Sequence, residues 1–310
     1  MRVQFAILAA LALSCPAVAA TDDPLVIDNC GVMVQFEAPP QRVVTIKSTA
    51  TELLLALGVG DRIVGVGFLD GSLPAEFSGT NLPMLSEKLP SQEVVLEAEP
   101  DLIYGGWESN FAADGAGERA TLAQLGVDTY VAPAACRTVR PPRLDFNVLF
   151  DEMAEMGEIF DVSDAATALV ESQKAMLAGT PADDRGLSAL WYSSGTKTPY
   201  VGAGTNAPAM IMDALGLTNI FAEVDDGWVS ASWEVIVDAN PDVIVLVDAA
   251  WNSAEQKRKL LAENPITREL DAVIHQRYLV VPFPAGEAGV RNVPAVVDMA
   301  AQLRALDFAR

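Results

Sequence analysis

One stretch of this chain occurs twice. The segment Ser91–Ile103 returns as Ser232–Ile244, with seven of thirteen positions identical and four more closely similar. Each copy opens with a serine suited to cap a short helix, stops at a Pro-Asp pair and continues into an unbroken apolar run. Such runs are typical of strands that are buried on both faces of a parallel sheet. The repeat therefore predicts one α/β unit used twice.

A weaker similarity lies upstream of each copy, where the segment 52–59 resembles the segment 210–217. Two similar segments in the same order favour a duplicated lobe over chance. The predicted fold class is α/β, with two doubly wound lobes that flank a cleft and are joined by one long helix. We predict a signal peptide at 1–20, an N-terminal lobe at 21–162, a linking helix at 163–180 and a C-terminal lobe at 181–310.

The linking helix is expected from Asp164 to Ala178, with Ser163 as its cap. The chain passes between the lobes only once, so a single helical connector predicts small hinge motion. A chain of 310 residues with 51% hydrophobic residues also suits two domains better than one core. Its formal net charge of -22 repels phosphate backbones and anionic lipids, so nucleic-acid binding is not expected.

The N-terminus has the pattern of a secretory signal peptide. One positive charge at Arg2 precedes the apolar run 3–13, and the small residues 17–20 form a cleavage site. The apolar run is too short to span a bilayer. The protein is expected to be exported, to a periplasmic or cell-surface location, with lipid anchoring through Cys15 as the alternative mode of processing.

Two cysteines, Cys30 and Cys136, remain after removal of the signal peptide. In an exported chain they predict one disulfide, which would close a loop of about a hundred residues. The alternative is two buried free thiols, which export makes the poorer interpretation.

Motifs for catalysis are mostly missing from the sequence. His275 is the single histidine, and we interpret it as a surface or helix-capping residue. The chain has no Gly-x-Ser-x-Gly motif, and one histidine cannot form a clustered-histidine metal site. We therefore predict no catalytic residue, no metal ligand and no cofactor.

The best motif for a rival function runs from Gly202 to Ala207, with Glu223 about twenty residues further on. It fits Gly-x-Gly-x-x-Ala between a predicted strand and a helix that starts near Pro208, as in dinucleotide-binding proteins. The alternative function is accordingly an exported two-lobed α/β enzyme acting on a nucleotide-like substrate. A milder interpretation is a nest of backbone amides that faces an anionic group of a ligand.

The twin glutamate-bearing units, the single linking helix and the signal peptide together resemble the substrate-binding proteins of ABC importers for iron-siderophores, haem and cobalamin. The resemblance covers residues 41–308. It implies a monomeric protein that binds a small molecule and delivers it to a membrane permease with a cytoplasmic ATPase. It also implies that one glutamate per lobe docks onto arginine pockets of the permease. By position in the repeat, these are Glu93 and Glu234.

Three segments look closest to an actinobacterial branch of that family assigned to a deazaflavin-cofactor precursor: 44–52, 106–110 and 191–195. They add Ser48, Glu108 and Tyr192 to the candidate ligand contacts. Family members often carry an aromatic residue just upstream of each docking helix. Trp228 fits this pattern, whereas the first lobe has Glu87-Lys88 there, which favours a more polar ligand than cobalamin.

Aromatic and basic residues in predicted loops complete the candidate ligand contacts. Trp107, Trp228 and Trp251 fall next to predicted strands or helices rather than within them, although buried core tryptophans are the alternative. Three basic residues lie in Gly/Pro/Ser-rich loops and could meet phosphate or carboxylate groups, or be scattered surface charges. They are Lys47, Lys88 and Arg291. The expected ligand is a polar, anionic, ring-containing molecule.

Overall fold

The structure is a computed structural model that describes residues 24–141 and 143–308. The predicted signal peptide, with Cys15, lies outside the described residues. Among those that are described, no helix is both long enough and apolar enough to cross a membrane.

The first part of the chain forms a β-hairpin and a five-stranded sheet with its helices. These elements are β1 Leu25–Asn29, β2 Val32–Phe36, β3 Val43–Ile46, α1 Ser48–Ala56, β4 Ile63–Gly67, β5 Met84–Ser86, α2 Gln92–Glu97, β6 Leu102–Gly105, α3 Arg119–Gln124, β7 Asp128–Val131, α4 Phe146–Ile159 and α5 Ser163–Ala178.

The second part of the chain forms a six-stranded sheet with its helices. These elements are β8 Ser188–Ser194, β9 Tyr200–Gly202, α6 Ala207–Leu215, β10 Thr218–Asn219, β11 Trp228–Ser230, α7 Trp233–Ala239, β12 Val243–Asp248, α8 Ala254–Glu263, α9 Asp271–Ile274, β13 Tyr278–Pro282 and α10 Asn292–Ala305.

The first sheet has the strand order β5-β4-β3-β6-β7, and every pairing in it is parallel. Strand order reverses beside β3, which is the arrangement of a doubly wound sheet. All four residues of β3 and all four of β6 are buried, as expected for strands covered by helices on both faces. The carboxyl ends of these strands therefore meet at one edge of the sheet.

The second sheet has the order β11-β9-β8-β12-β13, with β10 pairing beside the start of β8. The core strands β8, β12 and β13 are parallel, but β9 runs antiparallel to both β8 and β11. The predicted α/β fold with two parallel-sheet cores is confirmed. The strand at β9 was predicted, but its antiparallel direction and its partner β11 were not, because a three-residue strand carries too few residues to show a pattern.

The repeated stretch folds as predicted. Ser91 accepts a hydrogen bond from Val94 N at the start of α2, and Ser232 accepts one from Val235 N at the start of α7. Each short helix is followed by the buried strand that the repeat predicted, β6 or β12. The two copies thus occupy equivalent positions in the two sheets.

Helix α5 lies between the last strand of the first sheet and the first strand of the second. It begins at Ser163 itself, with Val162 in the capping position and no side-chain cap, so the expected Ser163 cap is wrong. One buried apolar cluster includes Leu54 and Met153 from the first part of the chain and Val245 and Val296 from the second. A shared apolar core of this kind resists separation of the two parts.

The predicted disulfide is confirmed: Cys30 and Cys136 are joined, with their Cα atoms 5.4 Å apart. Cys30 lies in the turn of the β1–β2 hairpin. Asn29 pairs with Val131 through two hydrogen bonds of 2.8 Å, which fix the hairpin against β7. The disulfide and these two hydrogen bonds together join the N-terminal hairpin to the first sheet.

We expect replacement of both cysteines by serine to lower the free energy of unfolding by about 2–4 kcal/mol, because the closed loop restricts the unfolded chain. Urea unfolding of the double variant beside the parent protein measures this. Alkylation of the untreated parent protein should modify neither cysteine. Two reactive thiols, or an unchanged unfolding midpoint, would contradict the prediction.

Candidate functional site

A cavity of about 780 Å³ lies between the two sheets. It is bounded by loops that follow the carboxyl ends of β6, β7 and β13, by the last residues of β8, and by the antiparallel strands β9 and β11. In open α/β sheets, ligands bind outside the carboxyl ends of the strands. Its volume is in the range of small-molecule binding sites. The cavity is therefore the candidate ligand-binding cleft.

Aromatic side chains from both parts of the chain line the cleft. Trp107 comes from the first part, and Tyr200, Trp228 and Phe283 come from the second. The rings of Tyr200 and Trp228 are stacked, with centroids 5.9 Å apart and an interplanar angle of 13°. These two rings stand on the neighbouring strands β9 and β11, which are paired antiparallel so that Trp228 lies opposite Gly202. The cleft thus offers flat apolar faces to a ring.

Lys47 is buried against the ring of Trp107 and does not line the cleft cavity. Its side chain is 2% exposed, it forms an ion pair with Asp70, and its Nζ lies 3.6 Å from the Trp107 ring centroid and 4.2 Å from that of Phe68. Burial lowers the pKa of the Lys47 ammonium, and the nearby Asp70 carboxylate partly opposes that shift. The cation–π contact and the ion pair hold the indole ring in place.

The backbone at Lys47 is strained, with φ of 83° and ψ of 153°, a region that few residues other than glycine adopt. Gly106 allows the Trp107 loop to pass this close, because a Cβ there would lie 2.8 Å from Lys47 Cβ. Strain of this kind persists only where the surroundings fix it, and it clusters at functional sites. Lys47 and Gly106 together set the position of Trp107.

Trp107 also joins the two parts of the chain. Its Nε1 donates a hydrogen bond of 3.1 Å to Glu287 Oε2, and Glu287 also lines the cleft. Burial raises the pKa of Glu287, while the hydrogen bond from Trp107 and the charge of Lys47 oppose the rise. This contact depends on the present spacing of the two sheets.

Arg291 does not face the cleft cavity but links the two parts of the chain elsewhere. Its Nε donates to Glu52 Oε2 at 2.6 Å, its Nη2 pairs with the other carboxylate oxygen, and Nη2 also donates to Ser72 O at 2.7 Å. Glu52 is 2% exposed, and burial raises its pKa against the opposing effect of Arg291. The guanidinium is already engaged by protein groups.

The remaining candidate residues are scattered. Tyr192 is buried and donates to Gly195 O at 2.6 Å, while Ser48 Oγ accepts from Asp70 N at 2.9 Å. Lys88 is exposed in the loop between β5 and α2. Glu108 accepts a hydrogen bond of 2.9 Å from Thr138 N, and Trp251 is 63% exposed with its ring edge against Phe283. Of the nine candidates, only Trp107 and Trp228 line the cavity.

The sequence reasoning missed several polar residues that line the cleft. Arg137 and Arg140 come from the loop after β7, and Asp225 and Asp226 come from the loop before β11. Arg140 pairs with Asp225 at 2.6 Å, whereas the Arg137 guanidinium forms no ion pair within the described part of the chain. For the two arginines the available signal was position, because their loop follows the largely buried strand β7, and ligand residues are expected at the carboxyl ends of such strands.

The Gly202–Ala207 segment does not form a dinucleotide site. It follows the antiparallel strand β9, whereas the dinucleotide fingerprint requires a parallel βαβ unit. The amides of 203, 204 and 205 donate to carbonyls of 227, 224 and 226, so no nest of free amides is available there. A Cβ on Gly204 would lie 2.2 Å from Ala222 O, so that glycine serves packing within the protein.

His275 is exposed at the C-terminal cap of the short helix α9, as the sequence analysis interpreted it.

Comparisons with known proteins agree with this architecture. Residues 43–285 match the periplasmic binding protein family, and the chain belongs to that family. It is 26% identical over 285 residues to the ABC transporter substrate-binding lipoprotein YvrC of Bacillus subtilis, covering 89% of this chain and 84% of that one. It is 24% identical to a cobalamin-binding protein of Halobacterium salinarum, covering 79% of this chain and 64% of that protein.

Among solved structures, it is similar to an ABC-type Fe3+-hydroxamate transport system protein of Saccharomonospora viridis, at 25% identity and a TM-score of 0.77. That match covers 91% of this chain and 99% of the other. The family and these relatives are transporter substrate-binding proteins, so the predicted resemblance and the predicted non-enzymatic function are confirmed. The alternative enzymatic function finds no support.

Proposed function

We propose that this protein is the extracytoplasmic solute-binding component of an ABC importer, and that it delivers a polar, ring-containing molecule to a membrane permease. The observation that carries the proposal is the cleft of about 780 Å³ with aromatic rings from both sides. Relatives named for Fe3+-hydroxamate transport and cobalamin binding support the same ligand class. A deazaflavin precursor belongs to the same chemical range and stays a candidate.

The ligand is proposed to lie against the stacked Tyr200 and Trp228 rings on one side and Trp107 on the other. Flat rings of this kind favour a planar or macrocyclic molecule over a simple sugar or amino acid. Arg137 is proposed to meet an anionic group on the ligand, in place of the predicted basic residues Lys47, Lys88 and Arg291. Lys47 contributes by holding Trp107 in place.

A largely preformed site is also proposed. The contacts Trp107–Glu287, Arg291–Glu52 and Arg140–Asp225 already join the two sides of the cleft. A site that is ordered before binding loses less conformational entropy when the ligand enters. Helix α5 is proposed as the linking helix, with the predicted lobe boundaries on either side of it.

The direct test is mass spectrometry, under native conditions, of small molecules that copurify with the protein from its natural host. A ring-containing metal chelate, corrinoid or deazaflavin, released chemically unchanged, is the expected result. Calorimetric titration with ferrioxamine, cyanocobalamin and a deazaflavin ranks the three classes. Copurification of a nucleotide that the protein converts to a product would overturn the proposal.

We expect Trp228→Ala to weaken binding of the copurified ligand by roughly 1–3 kcal/mol, the range for loss of a stacked aromatic ring. Calorimetry is the suitable measurement, because removal of a tryptophan also alters fluorescence. Trp251→Ala is the matched control, since Trp251 is largely exposed and does not line the cavity. Equal effects of the two substitutions would argue against this placement of the ligand.

Docking to the permease is proposed to use Glu93 and Glu234, one from each copy of the repeat. Both are exposed in the first turn of their helices, α2 and α7.

The protein is proposed to lie outside the cytoplasm, and the lipoprotein name of the Bacillus relative supports this location. The two proposed modes of processing are cleavage after the small residues 17–20 and lipidation at Cys15.

A further inference from the structure

Glu287 has a carboxylate of which the protein uses only one oxygen. The residue is partly exposed and lines the cleft cavity. Its Oε2 accepts the hydrogen bond from Trp107 Nε1, but its Oε1 has no hydrogen-bond partner among the described residues. The side-chain atoms that are both buried and unpaired in that part of the chain are Gln173 Oε1 and Trp191 Nε1. Glu287 Oε1 is therefore unpaired but accessible, and it can accept a hydrogen bond from a molecule in the cleft.

The charges around Glu287 do not balance. Lys47 is the cation whose charge acts on it, but Lys47 is buried and already forms an ion pair with Asp70. No lysine or arginine in the described part of the chain forms an ion pair with Glu287 itself. Two carboxylates therefore share one ammonium in a region that is largely removed from water. A carboxylate in such surroundings is unfavourable unless a cation or donor meets it, so a donor group on a ligand would stabilise it.

Arg137 and Glu287 act on the same aromatic side chain of the cleft, Tyr200. Burial raises the pKa of the Tyr200 hydroxyl. The negative charges of Asp226 and Glu287 add to this rise, and the positive charge of Arg137 opposes it. The Tyr200 ring, which is stacked on Trp228, thus lies within electrostatic reach of both a cation and a carboxylate. One ring-containing molecule can therefore meet both groups.

We propose that Glu287 is a ligand-binding residue of the cleft, and that its Oε1 accepts a hydrogen bond from an ammonium or other N–H group of the ligand. This role rests on the proposed function, because it requires a ring-containing molecule in the cleft. A ring that lies against Trp107 brings its substituents to the Glu287 carboxylate, which is hydrogen-bonded to the indole Nε1. Together with the anionic group that Arg137 is proposed to meet, this defines an amphoteric ligand, with one acidic group and one N–H or ammonium group.

The test uses two probes of similar shape, tryptamine and tryptophol, which carry an ammonium and a hydroxyl group on the same indole side chain. Calorimetry on the parent protein at neutral pH should show tryptamine binding about 10- to 100-fold more tightly, the range for a hydrogen bond to a charged group. Glu287→Gln keeps the shape of the side chain and an acceptor for Trp107 Nε1 but removes the charge. The affinities of the two probes should then converge.

Two further variants separate the Glu287 contact from its surroundings. Asp226→Asn removes a different negative charge from the same cavity, and it should reduce the preference for tryptamine less than Glu287→Gln does. Trp228→Ala removes a ring surface that both probes use, so it should weaken the binding of tryptamine and tryptophol alike.

Equal binding of the two probes by the parent protein, or an equal loss of preference in Asp226→Asn and Glu287→Gln, would overturn the role of Glu287 and leave the proposed function intact. Loss of the preference in Glu287→Gln, with no effect of Trp228→Ala, would keep the Glu287 contact and remove the proposed ring placement. Binding of neither probe, or a copurified ligand without an N–H or ammonium group, would also overturn the role of Glu287.

Discussion

Uptake of the ligand is expected to stop when Glu93 and Glu234 are both replaced by arginine, while ligand affinity and folding stay normal. Both carboxylates are exposed at the starts of equivalent short helices, so they can reach a partner surface without rearrangement. Reversal of both charges would place arginine against the arginine pockets that the family resemblance implies on the permease. Like charges brought together at an interface cost several kcal/mol, which is enough to prevent docking.

The alternative role for these glutamates is local. An acidic residue in the first turn of a helix complements the helix dipole by roughly 0.3–1 kcal/mol. A protein that only lost this contribution would be slightly less stable and would support uptake as before. Asp164→Arg with Glu255→Arg is the matched control, because both are exposed first-turn acids of other helices. The measurement is ligand accumulation by cells that carry each variant.

Normal uptake by the Glu93→Arg/Glu234→Arg variant would remove the docking proposal. Loss of uptake by the control variant as well would show that net charge, rather than these two positions, decides transport. Calorimetry on the purified variants separates a docking defect from a binding defect.

Much of the fold could be predicted, because a repeat and unbroken apolar runs are local properties of the sequence. The helices α2 and α7 and the buried strands after them follow from residues within a few positions of one another. The short strands β5 and β11, and the antiparallel direction of β9, could not be predicted in this way. Their three residues take strand geometry from their neighbours in the sheet rather than from a pattern of their own.

The site was harder to predict, because the partner of a charged residue can lie far along the chain. Lys47 looked like a free cation in a polar loop, but its partner Asp70 is 23 residues away, and Arg291 pairs with Glu52 across 239 residues. Trp107 was placed correctly at the end of a strand, where its position depends on local sequence. Tyr200 was missed as a cleft residue, since only the antiparallel pairing of β9 with β11 brings it beside Trp228.

Among the contacts between the two parts of the chain, the Arg291–Glu52 ion pair should cause the largest loss of stability when one partner is removed. We expect Arg291→Met to lower the free energy of unfolding by about 3–5 kcal/mol, the range for removing one partner of a buried ion pair. Most of this loss comes from leaving the Glu52 carboxylate buried without a compensating charge. Arg143→Met is the matched control, because Arg143 pairs with Asp213 at 2.6 Å with both side chains more than half exposed. An exposed pair contributes about 0–1 kcal/mol.

The double variant Glu52→Gln/Arg291→Met should lose less stability than Arg291→Met alone, because no unpaired charge remains in the interior. The pH dependence gives a second criterion. Burial raises the pKa of Glu52 above its ordinary value of 4.5, and loss of Arg291 removes the main opposing effect, so the pKa rises further.

An acid whose pKa is higher in the folded than in the unfolded state destabilises the protein above the folded pKa, and this effect disappears as the pH falls below the unfolded pKa. The stability lost in Arg291→Met should therefore be largest near neutral pH and should shrink as the pH falls toward 4.5, where Glu52 enters the fold protonated. Urea unfolding of the parent, single and double variants over this pH range measures the effect. A loss that does not change with pH, or a double variant less stable than Arg291→Met, would mean that Arg291 acts through its packing and its hydrogen bond to Ser72 O rather than through its charge.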